Sequence, residues 1–430
     1  MDADSPPMDE IRKEIARCAR CGKCRAVCPT FLASGDETNV ARGRINLAEA
    51  LLDGRAELTP RARGIIEGCY GCMRCVEACP SGVKVDLVVQ YLREMAASRR
   101  GVPLPARWIF RRVLPVRRRY DALMRLARFS QRFFRRSGRP PLRHLPLLYG
   151  GRRHIPPIAR RPALRVLPEM SKGRGEIKVS LFLGCLLNYV YPETAASIMR
   201  ILAFHGVDVI VPRAQLCCGA PVLAGGDAEA ARALAARNLE CLEADKVDAV
   251  VFGCASCALT VQRRYPRLLP GAESCAAKVM DITEFIHTRL GYSNLPIGET
   301  ATYHDPCHLR WGRGVEEPPR EILRQSAGYV EMERAGSCCG LGGTFSLAHY
   351  DLSCALGGAK VESILSSGAD LVATACPGCM LQLEDQLARR GVKMPVLHVA
   401  QVYEMGYLKE RPSHAGTAPS MRAGFLTVMK

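Results

Sequence analysis

The chain has 430 residues, of which 48% are hydrophobic, so it is long enough for two to four domains with buried cores. Its 21 cysteines are far above ordinary usage, and their odd number excludes a framework made only of disulfides. The formal charge of +18 does not spread evenly. Residues 99–174 contain 22 Lys and Arg against Asp121 and Glu169, a surplus of 20, and the rest of the chain is close to neutral.

The first residues, MDADSPPMDEIRKE, have neither a basic region nor an apolar stretch, so we expect no export signal. The apolar windows are shorter than the roughly 18 residues of a spanning helix, which predicts no transmembrane segment. We therefore expect a cytoplasmic protein, or a peripheral one on the inner face of the cytoplasmic membrane. In that reducing compartment, clustered cysteines are more often metal ligands or catalytic groups than disulfides.

Eight cysteines near the N-terminus form two copies of the pattern C-x2-C-x2-C-x3-C-P, the bacterial-ferredoxin signature of 4Fe-4S clusters. In that signature the fourth cysteine of each copy binds the other cluster. The pattern predicts ferredoxin site 1 and ferredoxin site 2. The predicted ligands of ferredoxin site 1 are Cys18, Cys21, Cys24 and Cys79. Those of ferredoxin site 2 are Cys69, Cys72, Cys75 and Cys28. Zinc is the alternative, but it favours isolated C-x-x-C pairs that form one tetrahedron.

Forty residues separate Cys28 from Cys69, too many for the tight hairpins of a small ferredoxin. Within them, RGRINLAEALLDG places Ile45, Ala48 and Leu52 on one helical face and stops at Gly54. A second helix is predicted to start at Thr59 and Pro60. We therefore predict an α-helical ferredoxin domain over residues 1–98.

Residues 99–176 read as a linker rich in proline and arginine, with one helix predicted in RRYDALMRLARFSQRFFRR. The linker is interpreted as a solvated connector, with anionic lipid or an acidic partner protein as further candidate contacts. Charge alone does not decide among these contacts, and no nucleic-acid partner is expected.

After the linker the sequence repeats itself, because two sets of five cysteines each span 72 residues around a Cys-Cys-Gly doublet. We name them CCG site 1 and CCG site 2. Their respective members are Cys185, Cys217, Cys218, Cys254 and Cys257, and Cys307, Cys338, Cys339, Cys376 and Cys379. Each set lies in alternating strands and helices, which predicts parallel α/β units whose loops bring the cysteines together. We place these two domains at 177–298 and 299–410, followed by a flexible tail over 411–430.

Five thiolates are more than one zinc ion or one ordinary cubane cluster requires, whereas neighbouring cysteines could bind two irons of a larger cluster. Gly219 and Gly340 would allow the backbone turn that two adjacent thiolates need. A redox dithiol is an alternative interpretation of each doublet. Near CCG site 2, YHDPCHLRW places His304, Asp305 and His308 around Cys307, where they could tune a cluster or only fix the loop by hydrogen bonds.

Two ferredoxin motifs, the segments GDETNVARGRINLAEALLDG and CPSGVKVD, and two tandem CCG domains resemble the iron–sulfur subunit of bacterial glycolate oxidase. Related families are the iron–sulfur subunits of lactate utilisation and anaerobic glycerol-3-phosphate dehydrogenase, and the CCG subunit of heterodisulfide reductase. The resemblance implies an α+β multidomain fold, with the helical ferredoxin domain followed by two α/β CCG domains. From the reductase, it implies a non-cubane 4Fe-4S cluster on each five-cysteine set. The intact CASC and CPGC pairs depart from some glycolate oxidase subunits toward the reductase pattern.

The resemblance implies an electron-transfer subunit of a complex that oxidises glycolate to glyoxylate. A partner subunit would carry FAD and oxidise the 2-hydroxy acid, and electrons would pass through this chain to a quinone-type acceptor. We find no flavin or dinucleotide fingerprint in the chain itself, which agrees with a flavin on the partner. Three alternatives remain: a lactate or glycerol-3-phosphate dehydrogenase subunit, a heterodisulfide-reductase-like protein, and a basic zinc protein that binds nucleic acid.

Overall fold

The computed structural model describes residues 8–133, 142–144, 152–154, 156–291 and 296–410, so the predicted tail over 411–430 lies outside the described residues. The ferredoxin region is helical throughout. Its helices are α1 Met8–Ala16, α2 Cys24–Val27, α3 Pro29–Ser34, α4 Ala41–Leu52, α5 Pro60–Glu67, α6 Arg74–Glu77 and α7 Val85–Arg100. A 3-10 turn, Glu37–Asn39, lies between α3 and α4.

Local sequence explains where these helices begin and what they bury. The Thr59 side chain accepts a hydrogen bond from the Ala62 amide and caps α5, with Pro60 as its first residue, as predicted. Ile45 and Ala48 of α4 are buried, and they belong to a hydrophobic core formed only by residues of the ferredoxin region. Five of the eight cysteines, Cys18, Cys24, Cys69, Cys75 and Cys79, pack against this core.

The linker contains more structure than its composition suggests. Helix α8, Leu104–Trp108, continues as a π-helical segment, Ile109–Val113, and α9 follows over Arg117–Phe133, where a helix was predicted. Phe110 and Leu114 are buried against the first CCG domain. The remaining linker elements are β1 Leu142–His144 and β2 Arg152–His154, which pair antiparallel, and α10 Ala163–Val166.

The first CCG domain is built on a five-stranded sheet of order β3-β5-β4-β6-β7, whose one antiparallel strand, the edge strand β3, comes from the end of the predicted linker. The strands are β3 Met170–Ser171, β4 Lys178–Phe182, β5 Asp208–Ile210, β6 Ala249–Phe252 and β7 Val279–Asp281. The helices are α11 Gly184–Tyr189, α12 Pro192–Phe204, α13 Ala220–Ala224, α14 Ala228–Leu242, α15 Ala255–Leu259, α16 Tyr265–Leu268, α17 Glu273–Ala277 and α18 Ile282–Phe285. A 3-10 turn, Ala244–Lys246, and π-helical segments Thr260–Arg264 and Ile286–Leu290 complete the domain.

The second CCG domain repeats this plan with a four-stranded parallel sheet of order β11-β10-β8-β9. The strands are β8 Thr300–Tyr303, β9 Gly328–Tyr329, β10 Leu371–Thr374 and β11 Val396–His398. The helices are α19 Cys307–Arg313, α20 Glu317–Ser326, α21 Phe345–Ala348, α22 Tyr350–Ser366, α23 Pro377–Arg389 and α24 Val399–Glu410.

The predicted fold class is confirmed, with one local error. The segment YVEME suggests a full strand, but β9 contains only Gly328 and Tyr329. The Glu331 carboxylate instead accepts a hydrogen bond from Arg320 Nε at 2.8 Å, so this segment leaves the sheet edge to form an ion pair.

The two CCG domains share one continuous hydrophobic core. Polar contacts also join them, because the Tyr191 hydroxyl donates to Glu384 at 2.9 Å and Arg200 forms an ion pair with Glu404. Among the described residues, we find no helix with both the length and the apolar composition needed to cross a membrane.

Candidate metal centres

Ferredoxin site 2 surrounds a single cavity. Four of the predicted ligands line it: Cys28, Cys69, Cys72 and Cys75. The first of these comes from the other motif, so the structure brings together the crossed set that the ferredoxin pattern predicts. Arg44 also lines this cavity, and its Nη2 atom is buried without a hydrogen-bond partner among the described residues.

Ferredoxin site 1 lies closer to the surface. Cys24 is near enough to Cys18 and Cys28 to interact electrostatically with both, while Cys21 is exposed. The Cys79 sulfur accepts a hydrogen bond from the Val83 amide at 3.5 Å and packs on the ferredoxin core. That Cys79 completes the ligand set of site 1 remains a prediction.

CCG site 1 assembles from three loops that follow strands of one sheet. Cys185 lies in α11 just after β4, Cys217 and Cys218 precede α13, and Cys254 and Cys257 begin α15 just after β6. The thiols of Cys217 and Cys257 hydrogen-bond to Cys218, which holds the pKa of Cys218 well below its ordinary value. The second cysteine of the doublet is therefore the centre of this set.

CCG site 2 has the same arrangement. Cys307 is the first residue of α19, Cys338 and Cys339 follow β9, and Cys376 caps α23. Cys338 and Cys379 hydrogen-bond to Cys339 and lower its pKa, as their counterparts do for Cys218, and the Cys339 and Cys379 sulfur atoms lie 3.7 Å apart. The duplication detected in the sequence is thus a duplication of geometry.

Each doublet depends on the glycine that follows it. Gly219 and Gly340 have φ angles of 87° and 92°, a conformation that side chains disfavour. At Gly340 a Cβ atom would also lie 2.5 Å from the Ser353 carbonyl oxygen. The Cys-Cys-Gly pattern therefore reflects a turn that points two neighbouring thiols toward one site.

The donor sets fit iron–sulfur groups. The cysteines are all free thiols, which agrees with a metal-binding role better than with a disulfide framework. The doublets and the C-x-x-C pairs of both CCG sites are between 2% and 6% exposed, so bound metal would be shielded from water. Burial raises the pKa of the Cys72 thiol, so metal binding there must displace a proton. The unpartnered Arg44 Nη2 fits a hydrogen bond to a cluster sulfur.

The sites adjoin one another in an order that differs from their order along the chain. Tyr70, between two ligands of ferredoxin site 2, packs in one buried cluster with Cys72 and Cys338, so this site meets CCG site 2. Cys376 of CCG site 2 in turn lies close enough to Cys254 of CCG site 1 for each thiol to shift the pKa of the other. The four sites therefore form a series: ferredoxin site 1, ferredoxin site 2, CCG site 2 and CCG site 1.

The linker covers the far end of this series. Tyr120 of α9 and Cys185 both pack against the cluster that contains Phe110, Leu114 and Cys217. No sequence signal pointed to Tyr120. The position of Tyr70 beside ferredoxin site 2 could have been predicted from the sequence, because Tyr70 is the aromatic residue inside the CYGC motif.

The three polar residues predicted around Cys307 have different roles. The Asp305 carboxylate pairs with Arg310 and Arg320 and fixes the loop. His308 hydrogen-bonds Ser256 and the Gly71 carbonyl oxygen, which ties together the ferredoxin domain and both CCG domains. His304 is buried, and its ring nitrogens have no hydrogen-bond partner in the described structure.

Comparisons with known proteins agree with this geometry. A 4Fe-4S dicluster domain model matches residues 14–83, and a cysteine-rich CCG domain model matches residues 179–262 and 301–384. The chain is 30% identical to the probable glycolate oxidase iron–sulfur subunit of Bacillus subtilis, over 92% of this chain and 94% of that protein.

Two methanogen proteins are also similar. The chain is 30% identical to one of the fumarate reductase (CoM/CoB) subunits of Methanothermobacter marburgensis, over 92% of this chain and 73% of that protein. It is 27% identical to one of the dihydromethanophenazine:CoB–CoM heterodisulfide reductase subunits of Methanosarcina barkeri, over 86% of this chain and 89% of that protein.

Proposed function

Because the chain belongs to the family of the glycolate oxidase iron–sulfur subunit, in which a 4Fe-4S dicluster domain precedes two CCG domains, we propose that it is the electron-transfer subunit of a glycolate-oxidising complex. The observation that carries this proposal is the end-to-end match with the Bacillus subtilis protein, 94% of which is covered, against 73% of the fumarate reductase protein. A flavoprotein partner that binds FAD would oxidise glycolate to glyoxylate, and a quinone-type molecule would accept the electrons.

The series of cysteine sites supports this role. Iron–sulfur groups bound there would supply one-electron carriers, held by the two crossed ferredoxin sets and the two five-cysteine CCG sets. The five-cysteine sets have one donor too many for a cubane cluster, which favours the non-cubane form. Tyr70 and Phe345, whose ring centroids are 3.9 Å apart, fill the junction between ferredoxin site 2 and CCG site 2 and exclude water from it.

The test is purification of the complex with its partner under anaerobic conditions, followed by dye reduction with one hydroxy acid at a time. We expect glycolate to reduce the dye, whereas lactate and glycerol 3-phosphate do not. Activity with lactate or glycerol 3-phosphate instead would assign the chain to one of those two dehydrogenases. A colourless chain that contains zinc and binds DNA would overturn the whole proposal.

Disulfide reduction is a second candidate function, and one observation favours it. Both five-cysteine sets are complete, and they meet at the contact between Cys254 and Cys376. The similarity to a heterodisulfide reductase protein points the same way. The measurement is disulfide cleavage by the reduced chain in the absence of any flavoprotein, and activity there would replace the glycolate proposal.

We further propose that the linker docks on an anionic membrane surface. Helices α8 and α9 expose Leu104, Trp108, Leu126 and Phe129, each between 52% and 78% accessible. The same helices carry exposed arginines, including Arg118 and Arg125, so they combine apolar side chains that could insert with positive charge. An acidic protein partner would need the charge but not four exposed large apolar side chains.

This placement gives the linker a role in the proposed reaction. The inner faces of the same linker helices contact CCG site 1 through Tyr120, Phe110 and Leu114. A membrane on the outer face would lie one helix layer from the last site of the series. The proposal thus brings a lipid-soluble acceptor close to CCG site 1.

A further inference from the structure

His304 occupies an unusual position beside CCG site 2. It follows β8 directly, three residues before Cys307, and it is 1% exposed. Its backbone amide donates to the Ala373 carbonyl oxygen, which holds the residue against β10. Neither ring nitrogen has a hydrogen-bond partner among the described residues.

A buried imidazole without partners is unfavourable, since a buried polar group without a hydrogen bond loses its hydration and gains nothing in return. Buried polar groups in proteins almost always have a partner, so His304 points to a group that binds there. A ring nitrogen of His304 and the sulfur atoms of Cys339 and Cys379 all lie within 4.8 Å of one another. Both cysteines are members of CCG site 2, and Cys339 is its central thiol.

In the first CCG domain, the position equivalent to His304 holds an apolar residue. Phe182 lies three residues before Cys185, and it pairs across the sheet with Phe252, with ring centroids 5.1 Å apart. The second copy replaces this aromatic pair with His304 and Thr374, whose hydroxyl is also buried and unpartnered. An aromatic pair, as in the first copy, is enough to fill this position by packing. The buried polar side chains of His304 and Thr374 in the second copy therefore require a different explanation.

We propose that His304 holds the metal group of CCG site 2 through a ring nitrogen, as a sixth donor that CCG site 1 lacks. The inference rests on the proposed iron–sulfur function, because it assumes metal at CCG site 2. It makes the two copies chemically different despite their equal cysteine sets. Because the donors around an iron–sulfur cluster influence its reduction potential, an additional imidazole donor would give CCG site 2 a potential different from that of CCG site 1. CCG site 2 is also the one of the two CCG sites that faces the ferredoxin domain.

The experiment uses the full chain, purified anaerobically with its iron and with histidine labelled with 15N. Pulsed electron paramagnetic resonance of the reduced protein reports magnetic coupling between a cluster and a histidine nitrogen. We expect coupling in the wild type and its loss in His304→Phe, with iron content unchanged and a shifted midpoint potential for one cluster. His205→Phe is the matched control, because His205 bonds Tyr403 on another face and should leave the coupling intact.

Two results would overturn the inference: a wild-type protein without histidine coupling, or a His304→Phe variant that keeps both its iron and the coupling. If His304→Phe does not fold, His304→Gln retains a polar side chain at the site and must still lose the histidine signal. Failure of the underlying function looks different. In that case, Cys339→Ser would contain as much iron as the wild type, and no metal would be assigned to the site.

Discussion

The His308 imidazole lies 2.9 Å from the Ser256 hydroxyl, a contact between the second CCG domain and the first. The other ring nitrogen of His308 lies 3.2 Å from the Gly71 carbonyl oxygen of the ferredoxin domain. We predict that His308→Ala and Ser256→Ala each lower the free energy of unfolding. A double-mutant cycle should show a coupling of about 1 kcal/mol, the size of one hydrogen bond. Denaturant unfolding measures it.

The control for this cycle is Thr288→Ala, because the Thr288 hydroxyl bonds the Glu284 carbonyl oxygen within a single domain. Its effect should add to that of His308→Ala without coupling. Full additivity of the His308 and Ser256 effects would show that the contact does not join the domains.

Gly342 should be intolerant of a side chain, whereas its neighbour Gly343 should be more tolerant. Both have a positive φ angle, so alanine at either site is strained by about 1–2 kcal/mol. At Gly342 a Cβ atom would also lie 2.3 Å from Tyr70 Cδ1, while nothing lies within 4 Å at Gly343. Thermal unfolding should show a larger loss for Gly342→Ala, and equal losses would contradict the packing of Tyr70 on this loop.

Cys28→Ser tests the crossed ligand sets of the ferredoxin domain. Because Cys28 shares a cavity with Cys69, Cys72 and Cys75, its loss should disturb that cluster, with up to about four irons lost per chain. Cys275→Ser is the control, since Cys275 is buried but lies outside every set. Iron analysis with electron paramagnetic resonance measures both variants, and wild-type iron and spectra for Cys28→Ser would exclude the crossed assignment.

The linker surface predicts selective binding to vesicles. Vesicles that contain phosphatidylglycerol should bind the wild-type protein, and pure phosphatidylcholine vesicles should not. Each basic residue near an anionic surface contributes about 1 kcal/mol, so the charge reversals Arg118→Glu and Arg125→Glu together should weaken binding more than tenfold. Trp108→Ser and Leu126→Ser should weaken it as well. Cosedimentation measures the bound fraction.

The matched control reverses two exposed charges far from the linker sequence, in Arg289→Glu and Lys393→Glu. This control has the same net charge as the linker variant and should bind like the wild type. Equal losses of vesicle binding in the two double variants would show that binding depends only on the overall charge of the protein. If the protein binds an acidic protein but no vesicle, the membrane proposal is wrong and the linker partner is that acidic protein.

We predict that the buried carboxyl group of Asp281 makes the stability of the folded protein depend on pH. Burial raises the pKa of its carboxyl from 3.8 to about 7, because only one oxygen caps α18 through Thr283 and the other has no hydrogen-bond partner in the described structure. Arg313 lowers this pKa, and Glu284 raises it. The folded protein therefore binds the proton more tightly than the unfolded chain, and stability falls as pH rises from about 4 to about 7.

Asp281→Asn keeps the cap and removes the charge. The stability of this variant relative to the wild type should increase between pH 5 and pH 8, measured as the difference in denaturation midpoint. Glu284 and Tyr303 also face Asp281, and both are unchanged in the variant. A difference that stays constant with pH would mean that Asp281 is ionised throughout.

The cysteine spacings could reveal the domain order, the duplication and the grouping of both five-residue sets, because metal chemistry restricts which thiols share a site. They could not reveal which sites adjoin. That depends on contacts between distant elements, such as Tyr70 with Phe345 and Tyr120 with Cys185. The same limit explains the linker, where composition suggested a connector but Phe110 and Leu114 are core residues.

His304 shows a subtler limit. The sequence placed it beside Cys307 with Asp305 and His308, and hydrogen bonding that fixes the loop was one interpretation for all three. Asp305 and His308 do form such bonds, but His304 forms none within the described structure, and only coordinates could separate it from its neighbours.

The burial of the two Cys-Cys-Gly doublets restricts how the protein matures. Cys217 lies beneath the linker cluster, and Cys338 lies beneath Tyr70 of the ferredoxin domain. In the folded structure these thiols are almost completely covered, so iron and sulfide would have to displace a cover to reach them. We therefore predict an order of biogenesis: any metal of the CCG sites is inserted while the linker and the ferredoxin domain are still undocked, and docking then covers it.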